Sequence, residues 1–328
     1  MIANADTALR PGQALASESG QLDADSRALM KLQPRRPGFP ETLADLKEQY
    51  RRWRLVTQPE LPQVDRVKEY LAGGPHGPIP IRVYRGAGTA DLGILPVHVF
   101  YHGGGWMLGD LDTHDWICRA IANAAYCAVV NVEYRLAPDH VFPVAFDDAL
   151  AALRWVVANA GLLRIAPARV SLGGDGAGGN LAAAVALALR NEGRLGLKAL
   201  TLLYPAVDLS LSGPHDGHFP EDVLMTADAL RVFIERYVPK VAQRRDWRAS
   251  PLLAPSLAGL PPTLLLLAGF DPLNAQGETF ASRLKREGVT TAVRRFPGQM
   301  HGFVSHPKVL PKAHEAIEEL GTVLRANH

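Results

Sequence analysis

The amino-acid sequence predicts an α/β fold in which helices flank a mostly parallel sheet. From residue 65 onward, short apolar runs alternate with helical patterns, an order that produces parallel sheets covered on both faces. Three of the runs, at 97–101, 128–132 and 263–267, are apolar almost throughout, which is typical of strands buried on both faces. The chain of 328 residues, 47% hydrophobic and 21% charged, is large enough to bury a sizeable core.

The individual elements follow from hydrophobic periodicity and from the residues at their ends. Pro143 suits the first turn of a helix, and Asp147 and Asp148 suit the positive N-terminal end of the same helix. The predicted strands lie at 65–71, 79–85, 96–101, 127–133, 169–174, 198–204, 263–269 and 291–296. The predicted helices between and after them lie at 114–125, 143–159, 177–192, 275–287 and 308–326.

Two segments do not fit this alternation, and both are predicted to form a helical cap. Helical patterns near 23–32 and 42–55 precede the first strand. Residues 207–249 are too long for a simple crossover and contain a helix near 227–238. We expect both segments to roof the carboxyl edge of the sheet. The predicted organisation is N-terminal cap helices at 1–60, a core at 61–206 and 250–328, and a cap insertion at 207–249.

The charge balance and the cysteine count argue against several classes of partner. A formal net charge of +2 gives no reason to expect nucleic acid, an anionic membrane or a polyanionic substrate. Cys118 and Cys127 form neither a disulfide framework nor a metal cluster, so both are predicted to be buried, and no metal or other cofactor is expected. The first thirty residues contain charges and no apolar stretch, so we expect no signal peptide, no membrane span and a cytoplasmic location.

A run of glycines follows the third predicted strand. His102 is followed by Gly103, Gly104 and Gly105 and then by Trp106, and three consecutive glycines leave a bare backbone whose N–H groups can approach a ligand. A strand that ends in His-Gly-Gly-Gly is typical of half of an oxyanion hole, the set of donors that stabilises a negatively charged oxygen. A plain turn would not require the flanking histidine and tryptophan, which favours the functional interpretation.

A second glycine-rich turn, Gly-Asp-Gly-Ala-Gly-Gly-Asn at 174–180, connects the fifth predicted strand to a helix. A strand, a sharp turn and a helix form the context of a nucleophile elbow, in which the motif Gly-x-Ser-x-Gly presents a serine. Here Gly176 occupies the serine position. The motif lacks the spacing and the position in the chain of a dinucleotide-binding fingerprint.

Two further side chains follow the last two predicted strands. Asp271 lies in Gly-Phe-Asp-Pro-Leu and His301 lies in Gln-Met-His-Gly-Phe. Either residue alone would be better explained as a helix cap or a solvated loop histidine. The order elbow, Asp, His is nevertheless that of a hydrolase triad, and all three positions follow carboxyl ends of strands, where such sheets build their sites.

Together these motifs resemble those of the bacterial hormone-sensitive-lipase-like carboxylesterases, also called family IV. The resemblance rests on HGGGW, GDxAGGN, DPL and HGF in this order and on Glu-Tyr-Arg-Leu-Ala-Pro at 133–138, and it covers about residues 40–326. It implies the α/β-hydrolase fold, with an eight-stranded sheet and a helical cap. It also implies hydrolysis of short-chain carboxylic esters by a Ser-His-Asp mechanism.

The resemblance also implies roles for individual positions. The catalytic positions are those of Gly176 (the nucleophile position), Asp271 and His301. The oxyanion hole would comprise Gly103, which sets the turn, and the N–H groups of Gly104, Gly105 and Ala177. The predicted substrate-binding residues are Trp106, Met107, Asp175, Phe219, Val223 and Phe303. Structural roles are expected for Glu133 and Arg135, and His102 is expected to order the glycine loop.

The glycine at position 176 leaves three explanations open. The family's mechanism needs a hydroxyl there, and glycine has no side chain, so no acyl-enzyme can form at this position. The chain could be an engineered serine-to-glycine variant of an esterase, a natural receptor or binding protein, or an enzyme in which His301 activates a water. We expect Gly176→Ser to restore esterase activity and to lower stability slightly, because the elbow requires a positive φ.

The expected ligand is a small, uncharged ester, because the net charge is near zero and the candidate pocket residues are mostly apolar. A protein that used the fold only as an interaction scaffold would have no reason to keep Asp271 and His301 at triad positions. The resemblance further implies a possible homodimer that pairs through an edge strand.

Overall fold

Eight strands form one sheet in the computed structural model, which describes residues 21–32, 42–193, 196–210 and 223–328. The strands are β1 (Arg66–Ala72), β2 (Ile79–Arg85), β3 (Leu95–Tyr101), β4 (Ala128–Val132), β5 (Ile165–Asp175), β6 (Leu200–Leu203), β7 (Thr263–Phe270) and β8 (Thr291–Met300). Their order across the sheet is β1-β2-β4-β3-β5-β6-β7-β8. Only β2 pairs antiparallel with its neighbours, and the remaining pairs are parallel. The predicted mostly parallel, eight-stranded sheet is therefore confirmed.

Helices cover both faces of this sheet. Those in the described part of the chain are α1 (Ala24–Leu32), α2 (Leu43–Val56), α3 (Asp115–Ala125), α4 (Val144–Ala158), α5 (Ala160–Leu163), α6 (Ala177–Glu192), α7 (Ala227–Tyr237), α8 (Asn274–Arg286) and α9 (Lys312–Asn327). Each predicted helix is present with bounds shifted by a few residues. The one-turn helix α5 was not predicted, because a single turn has no detectable periodicity.

The core consists of two hydrophobic layers, one on each face of the sheet. Successive side chains of a strand point to opposite faces, so Val99 and Phe100 of β3 enter different layers. Val99 lies in the layer that includes Leu153 of α4, and Phe100 lies in the layer that includes Ile121 of α3. Burial on both faces explains why the central strands have nearly continuous apolar sequences.

Two helices outside the alternation of strands and helices are fixed by their own caps. The Thr42 hydroxyl accepts a hydrogen bond from the Asp45 N–H at 3.1 Å, and α2 ends at Thr57, whose hydroxyl donates to the Trp53 carbonyl at 2.8 Å. The Thr226 hydroxyl accepts from the Ala229 N–H at 3.1 Å and begins α7. Residues 1–20, 33–41 and 211–222 of the predicted cap segments lie outside the described residues.

Across the ranges that the structure describes, no helix is long and apolar enough to span a membrane. No cluster of three or more His, Cys, Asp or Glu residues in those ranges could hold a metal ion. Cys118 and Cys127 are both buried and unpaired, as predicted.

Candidate active site

The turn between β5 and α6 holds Gly176 in a conformation that residues with side chains rarely adopt. Its φ is 52° and its ψ is −109°. Its N–H donates to the carbonyl of Leu203 at 2.9 Å, and its own carbonyl accepts from the N–H groups of Asn180 at 3.1 Å and Ala206 at 3.2 Å. Glycine tolerates this positive φ without steric cost. The sharp strand-turn-helix geometry that the motif predicts is therefore present.

Asp271 and His301, which follow β7 and β8, are in hydrogen-bond contact. Nδ1 of His301 lies 2.8 Å from Oδ2 of Asp271, and Oδ1 of the buried Asp271 accepts from the N–H of Leu273 at 2.8 Å. The ring of Tyr204 packs against His301, with 4.8 Å between ring centroids. Because a carboxylate accepts at Nδ1, a neutral imidazole has its proton there and a free lone pair on Nε2.

Nε2 of His301 faces the elbow. A Cβ placed on Gly176 with ideal geometry would lie 3.2 Å from Nε2 and 3.4 Å from Cε1 of His301. A small displacement of the ring would bring a serine hydroxyl at this position within hydrogen-bond reach of Nε2. The three predicted triad positions therefore converge, and only the side chain at 176 is absent.

The glycine loop after β3 is anchored to the end of β5. The N–H of Gly103 donates to Oδ1 of Asp175 at 2.7 Å. Burial alone would raise the pKa of Asp175, but the neighbouring His114, the Arg54 guanidinium and the Gly103 N–H outweigh it and hold that pKa at about 2. Asp175 therefore remains ionised. Asp175 was predicted to bind substrate. It lines a cavity beside the loop, and it also holds the loop in place through Gly103.

His102 orders the same loop, as predicted. Burial, reinforced by His114, lowers the pKa of His102 to about 4, so its ring is neutral. Nδ1 lies 2.9 Å from the carbonyl oxygen of Gly103, and this contact requires the proton on Nδ1. The ring stacks on Tyr134 at 4.3 Å between centroids, and the Tyr134 hydroxyl donates to the His102 carbonyl at 2.6 Å.

The three N–H groups predicted as donors of the oxyanion hole are free to bind a ligand. Within the described ranges, the N–H groups of Gly104, Gly105 and Ala177 have no hydrogen-bond acceptor. Ala177 is the first residue of α6, where an N–H has no acceptor within the helix. The N–H of Gly103 is occupied by Asp175, so this glycine sets the turn and does not donate to a ligand.

A cavity of about 100 Å³ lies beside Gly104 and Gly105. The floor of this cavity is formed by Gly104, Gly105, Leu108, Asp175, His301 and Gly302. Its roof is formed by Leu46, Tyr50, Trp53 and Arg54 of α2 and by Leu224, Met225, Ala229 and Phe233 in and before α7. Both predicted cap segments thus contribute residues opposite the triad positions.

Most of the predicted substrate-binding residues do not line this cavity. Trp106 is buried and stacks on Tyr237 with 4.7 Å between ring centroids. Phe303 is fully buried against Phe296 at 4.8 Å, and Phe219 lies outside the described residues. The two remaining apolar candidates are buried in the two core layers: Met107 and Val223. The structure corrects the prediction for Trp106, Met107, Val223 and Phe303, because large apolar side chains beside a loop complete the core beneath it.

Arg54 and Trp53 were not among the predicted site residues. The sequence predicts their helix but not which face of it covers the sheet edge, and they have no motif of their own.

Glu133 and Arg135 are structural, as predicted: Glu133 accepts from the N–H of Leu111 at 2.7 Å, and Arg135 pairs with Asp148 at 2.7 Å. Burial raises the pKa of Glu133 to about 7.

The fold and the site define a class of protein. An Asp–His pair beside an elbow, facing unpaired backbone N–H donors, is the arrangement that hydrolases use for acyl transfer. The sequence model of the family with the α/β-hydrolase fold matches residues 98–305, more than half of the chain. The chain belongs to this α/β-hydrolase family, among its hormone-sensitive-lipase-like carboxylesterases.

Similar proteins are esterases that span most of the chain. Carboxylesterase NlhH of Mycobacterium tuberculosis is 39% identical, covering 84% of this chain and 87% of the relative. The carboxylic ester hydrolase LipN of the same organism is 41% identical, covering 77% and 68%. A hyperthermophilic esterase from the archaeon Pyrobaculum calidifontis has a solved structure that is 36% identical, covers 93% of this chain and 98% of its own, and superimposes with a TM-score of 0.86.

Proposed function

We propose that this chain binds a small carboxylic ester between floor and roof, and that it hydrolyses the ester only very slowly. The ester carbonyl is held by the N–H groups of Gly104, Gly105 and Ala177. The observation that carries the proposal is the Asp271–His301 pair, whose Nε2 faces the position of a Cβ on Gly176 at 3.2 Å. A base and its orienting carboxylate are in place, and the attacking oxygen is missing.

A serine at position 176 would add the nucleophilic attack on the ester carbonyl, the step for which this chain has no hydroxyl. The serine hydroxyl proton passes to Nε2 of His301 while the oxygen attacks the ester carbonyl, and Asp271 stabilises the imidazolium that forms. The free N–H groups stabilise the oxyanion. The imidazolium then protonates the leaving alcohol, and water, deprotonated by the same histidine, releases the acid. In the chain as it stands, no acyl-enzyme can form at residue 176.

The variant Gly176→Ser tests the proposal directly. We expect hydrolysis of p-nitrophenyl acetate to rise by about 10³-fold or more, with a burst of nitrophenol that reports an acyl-enzyme. Gly161→Ser is the matched control, because a Cβ on Gly161 in α5 has no neighbour within 4 Å. Equal rates for the two variants would contradict the proposal. We also expect a slightly lower melting temperature for Gly176→Ser, because of the positive φ.

A receptor or binding protein without catalysis is the alternative function, and the glycine at the nucleophile position favours it. Such a protein binds esters in calorimetry, but its Gly176→Ser variant does not turn them over. A third possibility is a water activated by His301, which predicts slow hydrolysis that His301→Ala removes and no nitrophenol burst. The division into cap and core, the cytoplasmic location and the homodimer stay predictions.

A further inference from the structure

Arg54 on the roof has a buried guanidinium nitrogen that the protein does not use. Its side chain is 6% exposed and lines the cavity. Nη2 donates to the Tyr50 hydroxyl at 2.7 Å, and the guanidinium lies 4.8 Å from the centre of the Tyr50 ring. Nη1 is buried and has no hydrogen-bond partner. A buried, charged donor without an acceptor is costly, so the site favours a ligand that supplies one.

The other buried arginines of the described residues are bound differently. Arg85 donates to two backbone carbonyls at 2.9 and 3.2 Å, and Arg244 donates to the carbonyl of Val238 at 3.0 Å. Arg54 donates to no carbonyl in the described ranges. The structural Arg135 binds a carboxylate instead, that of Asp148. Nη1 of Arg54 binds neither a carbonyl nor a carboxylate of the described residues, so its contacts differ from those of these arginines.

No carboxylate of the described residues forms an ion pair with Arg54. Asp175 lines the same cavity, but its contacts are the Gly103 N–H at 2.7 Å and Nε2 of His114 at 3.4 Å. The charge of Arg54 therefore has no contacting counter-charge in the described part of the cavity wall.

A second unpaired donor lies next to Arg54 in the chain. Nε1 of Trp53 is buried without a hydrogen-bond partner, and Trp53 also lines the cavity. An indole N–H can only donate, and a guanidinium has no acceptor, so neither group can satisfy the other. Two residues that line the cavity on the roof thus each have a buried, unpaired donor nitrogen, and one of these donors is charged.

His306, the remaining polar residue of the cavity wall, adds no further charge. Burial and the nearby guanidinium hold the pKa of His306 well below its usual range. Its Nδ1 lies 2.7 Å from the hydroxyl of Thr57, which donates its single proton to the Trp53 carbonyl. Nδ1–H is therefore the donor to Thr57, and the neutral ring adds no charge beside Arg54, whose guanidinium interacts with the Asp175 carboxylate only at a distance.

We propose that the ester bound in this cavity carries a carboxylate, which binds Nη1 of Arg54 with Nε1 of Trp53 as a second donor. This inference rests on the proposed function, because it names the substrate class of the same cavity. It replaces the uncharged ester expected from the net charge, which describes the whole chain and not this buried guanidinium. Half-esters of dicarboxylic acids present an ester carbonyl to the floor and a carboxylate to the roof.

Two probes that differ at one end test the inference: monoethyl glutarate, in which that end is a carboxylate, and its methyl ester, in which it is uncharged. Both are titrated calorimetrically into the unmodified chain, which forms no acyl-enzyme at residue 176. We expect the acid to bind about tenfold more tightly or better, because a buried carboxylate–guanidinium contact is a strong, charge-assisted hydrogen bond. Arg54→Met should remove this preference while the methyl ester still binds, and Trp53→Phe should reduce it. Arg52→Met changes an exposed arginine of the same helix and should retain it.

Each outcome decides between the two proposals. Equal affinity of the unmodified chain for both probes overturns the carboxylate inference, whatever the variants do. A preference that survives in Arg54→Met also overturns it. If Arg54→Met binds neither probe, Arg54→Lys decides, since it keeps the charge and must still prefer the acid. If the unmodified chain binds neither probe and Gly176→Ser hydrolyses neither, the proposed function itself fails.

Discussion

The floor and the roof of the cavity differ in whether their polar side chains have partners within the protein. The floor side chains have partners within the protein: Asp175 accepts from Gly103, and His301 is held by Asp271. On the roof, Arg54 and Trp53 each have a buried nitrogen without a partner. A polar group that the protein satisfies is fixed in place, whereas an unpaired group on a cavity wall is available to a ligand. This difference supports our proposals that the chemistry takes place at the floor and that the roof selects the ligand.

The elbow lies next to His301 of the floor and has no side chain of its own. The backbone of Gly176 is fixed by hydrogen bonds to Leu203, Asn180 and Ala206, as firmly as a catalytic position requires. Position 176 has no side chain, and the geometry around it is otherwise complete. Binding and turnover can therefore be tested separately in this protein.

The largest effect is expected from removing the base on the floor. In the Gly176→Ser background, His301→Ala should lower kcat for p-nitrophenyl acetate by about 10³- to 10⁶-fold, because the hydroxyl loses its proton acceptor. His140→Ala in the same background is the control, since His140 is exposed on a loop. If both variants lost activity equally, the floor would not be the place of the chemistry.

A smaller effect is expected where floor and roof touch. A Cβ on Gly105 would lie 2.6 Å from the Phe233 ring of the roof, at a φ of 62°. Gly105→Ala should lower the free energy of unfolding by about 1–3 kcal/mol and weaken ester binding. Gly161→Ala, where a Cβ has no neighbour within 4 Å, should keep or slightly raise the stability. Equal melting temperatures for these two variants would show that floor and roof are not packed as described.

The smallest effect concerns the pH dependence of the glycine loop. The pKa of His102 is lowered to about 4 in the folded chain, from about 6.5 when unfolded. Between these values the unfolded chain binds a proton that the folded chain does not, so this contribution to stability is present above about pH 6.5 and is lost as the pH falls towards 4. Denaturant titrations at pH 7 and 4.5 should therefore show a steeper loss for the parent than for His102→Gln. An identical loss in both chains would mean that His102 is not held neutral.

Much of the fold could be predicted from local sequence. Central strands such as β3 are apolar on both faces, and helices such as α6 begin at glycine-rich turns. Both signals lie within the segment itself, so the bounds of these elements can be predicted from a short stretch of sequence. The triad positions could be predicted for the same reason, because each follows a strand in a motif of a few residues. The substrate-binding residues could not, and Trp106, Met107, Val223 and Phe303 proved to be core. Whether an apolar side chain faces a cavity or a core depends on what packs against it.

The sequence by itself determined the fold class, the glycine loop, the elbow and its missing side chain, because each is encoded within a short stretch of chain. Only the tertiary structure decided that α2 lies over the carboxyl edge of the sheet and directs Arg54 and Trp53 to the same cavity as His301. Burial and the absence of a partner are properties of residues brought together from distant parts of the chain, and no local pattern records them. We propose that the charge of Arg54 selects the ligand. The net charge of the chain does not indicate this role, whereas the position of Arg54 in the fold does.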